Sequence, residues 1–136
     1  SLPVVVHCRS AFADCVAEID GSGVEWSKVV FHCFADGPNE MRQLMERGGR
    51  GSFTGIITFG NAENVRAAAL LQGLEKLMLE TDSPYLAPVP FRGKSNEPSF
   101  LPYIGEYLAK AFEVEQAELA VITTRNTLDF YCLSSS

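Results

Sequence analysis

The stretch Lys76-Leu-Met-Leu-Glu-Thr-Asp-Ser-Pro-Tyr-Leu86 runs an apolar segment into two carboxylates two residues apart, then breaks at Ser-Pro-Tyr. Side chains alternate along a strand, so Met78, Glu80 and Asp82 share one face and Leu77 and Leu79 share the other. Packing alone gives no reason to end a buried strand on two like charges. The residues leave two readings open for each. Glu80 reads either as a structural carboxylate bonded to backbone or to Arg9, or as part of a site. Asp82, before Ser-Pro, reads either as a turn initiator or as a ligand.

Three other segments have the same character: Pro3 to Cys8 (PVVVHC), Lys28 to Cys33 (KVVFHC) and Gly51 to Ile57 (GSFTGII). Each is strand-length and bounded by turn or charge signals. Helical spacing fills the intervals. Ala11 to Ile19 puts Phe12, Cys15, Val16 and Ile19 on one face, and Asn39 to Arg47 groups Met41, Leu44 and Met45 before Gly48-Gly49. The alanine-rich Asn61 to Gln72 opens on Asn61 as its expected cap. A β-α-β-α-β-α-β order with near-continuous apolar strands predicts an α/β fold with four parallel strands and covering helices. A proline-rich loop, Ser83 to Pro98, follows, and then helices over Phe100 to Phe112 and Gln116 to Leu133. The expected organisation is one domain over residues 1–133, with a disordered tail at 134–136.

Composition bounds the function. The 136 residues are 46% hydrophobic, enough to bury a sizeable core without disulfide staples. Cys8, Cys15, Cys33 and Cys132 form no CxxC pair, which fits a reducing intracellular compartment, cytoplasmic or nuclear. No apolar run approaches the roughly 18 to 20 residues of a membrane span, and the start SLPVVVHCR has no signal-peptide character. A net charge of −6 disfavours sequence-blind adhesion to nucleic acid. It leaves a nuclease possible, because bound metal ions supply local positive charge. No Gly-rich phosphate loop follows the first strand, which disfavours a flavodoxin-like open sheet.

Three of the four strands end in a metal-capable residue: His7, His32 and Asp82. Sites in parallel α/β folds form at the carboxyl ends of strands, so these side chains are expected to converge. By strand parity Cys8 and Cys33 point away and pack beneath helices.

The segments PVVVHCR, VVFHCF, GIITF, LMLETDSPYL, Asn96-Glu97-Pro98 with FLPYI, and the late Asn126 resemble, in that order, the carboxyl-terminal half of TatD-type metal-dependent deoxyribonucleases. The resemblance implies the carboxyl-terminal half of a TIM (β/α)8-type barrel, one or two divalent metals (Mg, Mn or Zn), and cleavage of phosphodiester bonds in DNA. It implies His7 and His32 as ligands of one metal. Asp82 would bind the other and act as general base toward the attacking water. Arg92 and Lys94, on the loop leaving the site, are the candidates to meet substrate phosphate. The family's amino-terminal His-x-His strand and bridging glutamate have no counterpart in this chain. Low activity of the chain alone is therefore expected, with pairing to the missing amino-terminal half. The alternative is a non-catalytic half-barrel that self-associates or binds a partner through its open sheet edges.

Overall fold

The computed structural model describes residues 2–133. The expected tail at 134–136 falls outside them. Four strands, β1 (Val4–Val6), β2 (Val29–Phe31), β3 (Arg50–Phe53) and β4 (Met78–Leu79), form one parallel sheet in sequential order. Val5 pairs with Val30, Val30 with Arg50, and Ser52 with Met78. This register lines up one face of the sheet from strand to strand, and the pleat sends the intervening residues to the other.

The second set, including Val29, Phe31, Phe53 and Leu77, is buried in the main core. It packs with Val16 of α1 (Phe12–Ser22), Met41 and Leu44 of α2 (Pro38–Arg47), Val65, Ala68 and Ala69 of α3 (Glu63–Gln72), Ile104 and Leu108 of α4 (Leu101–Phe112) and Leu119 of α5 (Gln116–Phe130). The opposite face is sparsely covered. Val30 and Met78 are buried there with Phe130 in a small cluster beside the partly buried Tyr131, and Val5 is 50% exposed. Four parallel strands with helices packed on one face are what half of a (β/α)8 barrel presents.

The strands are shorter than their apolar runs. β3 stops at Phe53 because Thr54 Oγ1 accepts a hydrogen bond from the Ile56 N–H, which starts a 3-10 turn over Gly55–Thr58. α3 begins at Glu63, with Ala62 rather than Asn61 at its cap and no side-chain capping bond. α1 runs past Ile19 to Ser22 and stops at Gly23, whose φ of 76° is the left-handed conformation glycine tolerates.

Buried amides fasten helices to strand ends. Gln72 of α3 accepts from the Gly51 N–H at 2.7 Å and donates to the Gly51 carbonyl at 3.0 Å. Asn126 of α5 donates to the Leu74 and Leu77 carbonyls at 2.8 and 3.0 Å, which sets the entry into β4. Among the described residues no helix is long and apolar enough to cross a membrane.

Two glycines separate close packing from chain flexibility. A Cβ on Gly55 would sit 2.1 Å from the Leu86 carbonyl oxygen and 2.9 Å from Pro88 N, both backbone atoms, whereas one on Gly21 meets nothing within 4 Å. Gly55→Ala is expected to destabilise the fold by roughly 1–3 kcal/mol. Gly21→Ala, near the end of α1, is expected to stabilise it by about 0.5–1 kcal/mol. Urea denaturation of the two variants checks both signs.

Candidate metal centre

The strand ends converge. β2 is followed directly by His32 and β4 by Glu80, and both strands keep their pairing one residue further: the His32 N–H donates to the Val6 carbonyl and the Glu80 N–H to the Phe53 carbonyl, each at 3.0 Å. The pleat therefore aims His32 and Glu80 to the face that carries Val30 and Met78. His32 Nδ1 lies 3.1 Å from Glu80 Oε1, and Ser52 Oγ donates to Glu80 Oε2. His7 Nδ1 lies 2.9 Å from His32 Nε2. A carboxylate only accepts, so His32 Nδ1 carries the proton toward Glu80. With His32 neutral, its Nε2 accepts from His7 Nδ1–H, and His7 Nε2 keeps its lone pair.

Asp82 completes the cluster: His32, Glu80 and Asp82 each offer a ligand atom within 4.8 Å of the others. Asp82 has a φ of 57°, and its carbonyl accepts from the Tyr85 N–H at 2.9 Å. Asp82 therefore starts a turn, as the sequence allowed, and its carboxylate also stands within the metal-capable group. Asn96 holds the turn from behind, donating through Nδ2 to the Thr81 and Tyr85 carbonyls at 2.8 and 2.7 Å. Asn96 is 4% exposed. Its amide sits where backbone carbonyls would otherwise be orphaned, which explains its place in the loop.

The cluster opens into a cleft of about 580 Å³ lined by His7, Cys8, Arg9, His32, Cys33, Ile56, Asp82 and Tyr85, among others. Glu80, left open between a structural carboxylate bonded to backbone or Arg9 and part of a site, bonds His32 and Ser52 within the metal-capable group. Its position on the Asp82 face was visible in the strand parity. Cys33 also departs from expectation. Strand alternation ends at Phe31, and Cys33 turns back at a φ of 51° onto the cleft wall. Burial, with the charges of Asp82 and Glu80, pushes its thiol up to about 11. Cys8 packs against the core and also reaches the cleft.

The candidate phosphate residues separate. Arg9, two residues after His7, is exposed on the cleft wall. Arg92 lies with its guanidinium 3.9 Å from the Phe59 ring centroid, and Lys94 is exposed on a turn whose N–H donates to the Phe91 carbonyl. Arg9, considered in the sequence only as a partner for Glu80, and the 69%-exposed Tyr85 are polar cleft residues that sequence reasoning did not place in the site. Adjacency to His7 and Asp82 was the available signal.

The donor set fits a divalent cation. Glu80 is met by a histidine and a serine rather than by lysine or arginine, and Asp82 brings a second carboxylate to the same point. Imidazole with carboxylate suits zinc, manganese or magnesium rather than a soft-metal thiolate site.

The family model for TatD related DNase matches residues 1–132. The chain belongs to this family. It is 42% identical over 134 residues to the uncharacterized metal-dependent hydrolase YcfH of Escherichia coli K12, covering 98% of this chain and 51% of that protein. It is 37% identical over 126 residues to the uncharacterized metal-dependent hydrolase YabD of Bacillus subtilis, covering 93% and 49%. The crystal structure of YJJV, a TatD homologue from E. coli K12, superposes with a TM-score of 0.87 at 22% identity over 97% of this chain and 51% of that one, which shows the fold. The chain thus spans about half the length of the curated relatives it matches.

The raised Cys33 thiol gives a direct check. At pH 8, well below its value of about 11, Cys33 is almost wholly protonated and should alkylate last, with exposed Cys132 ahead of it. Time-resolved iodoacetamide labelling of the folded protein in EDTA, read by peptide mass, measures the order.

Proposed function

We propose that this chain carries part of the site of a metal-dependent hydrolase that cleaves phosphodiester bonds of DNA. The observation that carries the reading is the meeting of His32, Glu80 and Asp82 within 4.8 Å, with His7 2.9 Å from His32, at the carboxyl ends of parallel strands. Membership of the TatD-related DNase family supports it.

His32 and Asp82 would hold a divalent cation, with His7 and Glu80 beside them. Such an ion, when bound, acidifies water and offsets charge on a phosphate. The chain's own residues would do the rest. Asp82, fixed by the Asn96 clamp, accepts the proton of the attacking water. Glu80 orients the His32 ring through Nδ1, as carboxylate partners of ligating histidines do. Arg9 meets a phosphate oxygen from the cleft wall, and here it is favoured over Arg92 and Lys94 by its place in the lining. With a net charge of −6, attraction for DNA has to come from this local set rather than from the surface as a whole.

A second reading concerns partners. The 50% exposure of Val5 and the 84% exposure of Leu2, beside the unpaired edge of β1, favour an assembly in which more chain covers this face. In the primary reading that assembly supplies the remaining metal donors, from a longer protein or a second chain. In the alternative reading it makes the chain a non-catalytic partner-binding or self-associating unit.

Metal binding separates the two. Isothermal titration should detect zinc or manganese on the chain, with affinity lowered about ten-fold or more by His32→Ala or Asp82→Asn. Unchanged isotherms in both variants would remove the metal reading. In the longest protein that carries this sequence, hydrolysis of a DNA oligonucleotide with added magnesium or manganese should be abolished by Asp82→Asn. Arg9→Ala should raise KM about ten-fold, the scale of one charge-assisted hydrogen bond, while leaving kcat nearly unchanged. Full activity of the Asp82→Asn variant would defeat the assignment of Asp82.

A further inference from the structure

Three of the four tyrosines in the chain are packed. Tyr103 meets Phe91 and Phe100 edge to face, Tyr131 meets the Phe130 ring the same way, and Tyr107 lies partly buried against the main core. Tyr85 is the exception. It lines the cleft three residues after Asp82 at 69% exposure, and neither its ring nor its hydroxyl has a partner among the described residues.

The backbone beneath that ring is fixed. The Tyr85 N–H donates to the Asp82 carbonyl at 2.9 Å, the Tyr85 carbonyl accepts from Asn96 Nδ2 at 2.7 Å, and the Asn96 N–H donates to the Pro84 carbonyl at 2.9 Å. Asn96 is itself buried. With the backbone held, a ligand has only the two side-chain torsions of Tyr85 to order, so contact with the ring carries a small entropic cost. The amide that holds the Asp82 turn therefore also presents an aromatic ring at the cleft.

Sheet order distributes the lining. The chain following β1 and β2 brings His7, Arg9 and His32 to the cleft, and the chain following β3 and β4 brings Ile56, Asp82, Tyr85 and Leu86. Ile56, Tyr85 and Leu86 thus give the β3–β4 side a neutral, largely apolar wall. A volume of about 580 Å³ suits a small-molecule-sized group. The part of a phosphodiester substrate that matches such a wall is the nucleobase, which is uncharged and has two flat faces. Phosphate and sugar, both strongly hydrated, match the Arg9 side instead.

We propose that Tyr85 is a substrate-binding residue that stacks on the base of a DNA nucleotide whose phosphate lies toward Arg9 and Asp82. The inference rests on the phosphodiester reading of the cleft and adds the contact that recognises the nucleoside. Stacking uses the ring and not the hydroxyl, so phenylalanine serves in place of tyrosine. Every base has a π-face, so the contact selects nucleotides over other phosphate esters without selecting one base over another. It is made away from the reacting phosphate and equally in the ground and transition states, so it lowers KM and leaves kcat unchanged.

The test uses the longest protein that carries this sequence, with magnesium present. Tyr85→Leu keeps apolar bulk and removes the π-face, and Tyr85→Phe removes only the hydroxyl. The probes are dAMP and 2-deoxyribose 5-phosphate, titrated at millimolar concentrations and followed by 1H NMR. Stacking predicts an upfield ring-current shift of adenine H2 and H8 in the wild type and Tyr85→Phe, absent in Tyr85→Leu. The wild type should bind dAMP about ten-fold more tightly than 2-deoxyribose 5-phosphate, and Tyr85→Leu should bind the two alike. On a DNA oligonucleotide, Tyr85→Leu should raise KM about ten-fold at nearly constant kcat, and Tyr85→Phe should change neither. Equal affinity of the wild type for the two phosphates would overturn the stacking, and if Arg9→Ala still weakened both, the phosphodiester reading would stand without it. Binding of neither phosphate, with no hydrolysis of DNA, would overturn that reading and the stacking with it. Loss of the dAMP preference with an unchanged KM for the oligonucleotide would overturn the assignment to DNA. Unchanged dAMP binding in Tyr85→Leu, with an altered sedimentation coefficient, would make Tyr85 a protein contact and overturn the proposal.

Discussion

Glu80 ties three strands together at the carboxyl ends of the sheet, where the metal-capable group stands. Its backbone N–H continues the ladder to β3 through the Phe53 carbonyl, and its carboxylate reaches across to His32 beyond β2 and to Ser52 within β3. A charged group at 24% side-chain exposure is costly unless its oxygens are satisfied, and here each has a partner. The same contacts define the tautomer of His32 and, through it, the donor role of His7. The site geometry is therefore inherited from strand register. Shifting β4 by one residue would send Glu80 and Asp82 to the helix-covered face and remove the cluster at a stroke.

Around that hub the fold uses neutral amides where the backbone leaves its regular ladders. Gln72, Asn96 and Asn126 are all buried, and each of their side chains bonds backbone groups from a different stretch of chain. An amide satisfies carbonyls without the desolvation cost of a charge, so it can be placed between a loop and a helix in the interior. Gly55 belongs to the same logic from the steric side: the Ala87 region can cross the end of β3 only because no Cβ stands at residue 55. Position and rigidity of Asp82 thus depend on residues that touch no ligand.

Much of this was legible in the sequence because period-2 alternation and strand-end chemistry are local signals. The four strands, the five helices and the convergence of His32 with Asp82 follow from runs such as KVVFHC and KLMLETD. What alternation could not carry was anything past the last paired residue. Cys33 was placed by extending parity beyond Phe31, where the chain had already turned to a positive φ. The GSFTGII run likewise read as one strand, although Thr54 ends it by capping its own 3-10 turn. Glu80 was placed on the correct face but given the wrong partners, since cross-strand pairing of His32, Ser52 and Glu80 needs the register as well as the pleat. Arg9 was considered only as a partner for Glu80, and its place on the cleft wall depends on where the Cys8 to Ala11 connection runs.

The two faces of the sheet differ in how complete they are, and the difference bears on function. The helix-covered face is closed by eighteen buried residues in a single cluster. The other face has three, and at its lower edge Arg50 lies across the Phe130 ring with Nε buried and without a hydrogen-bond partner. Burial lowers the Arg50 pKa, and the charge of Asp129 opposes that shift. The metal-capable group of one histidine and two carboxylates stands at the other end of this same face. A half-exposed Val5, a buried Arg50 Nε without a hydrogen-bond partner and the metal-capable group all lie on one face of the sheet. The face that carries the metal-capable group is thus the less closed of the two, so the positions of its donors rest on strand register and on the Glu80 contacts more than on a packed layer.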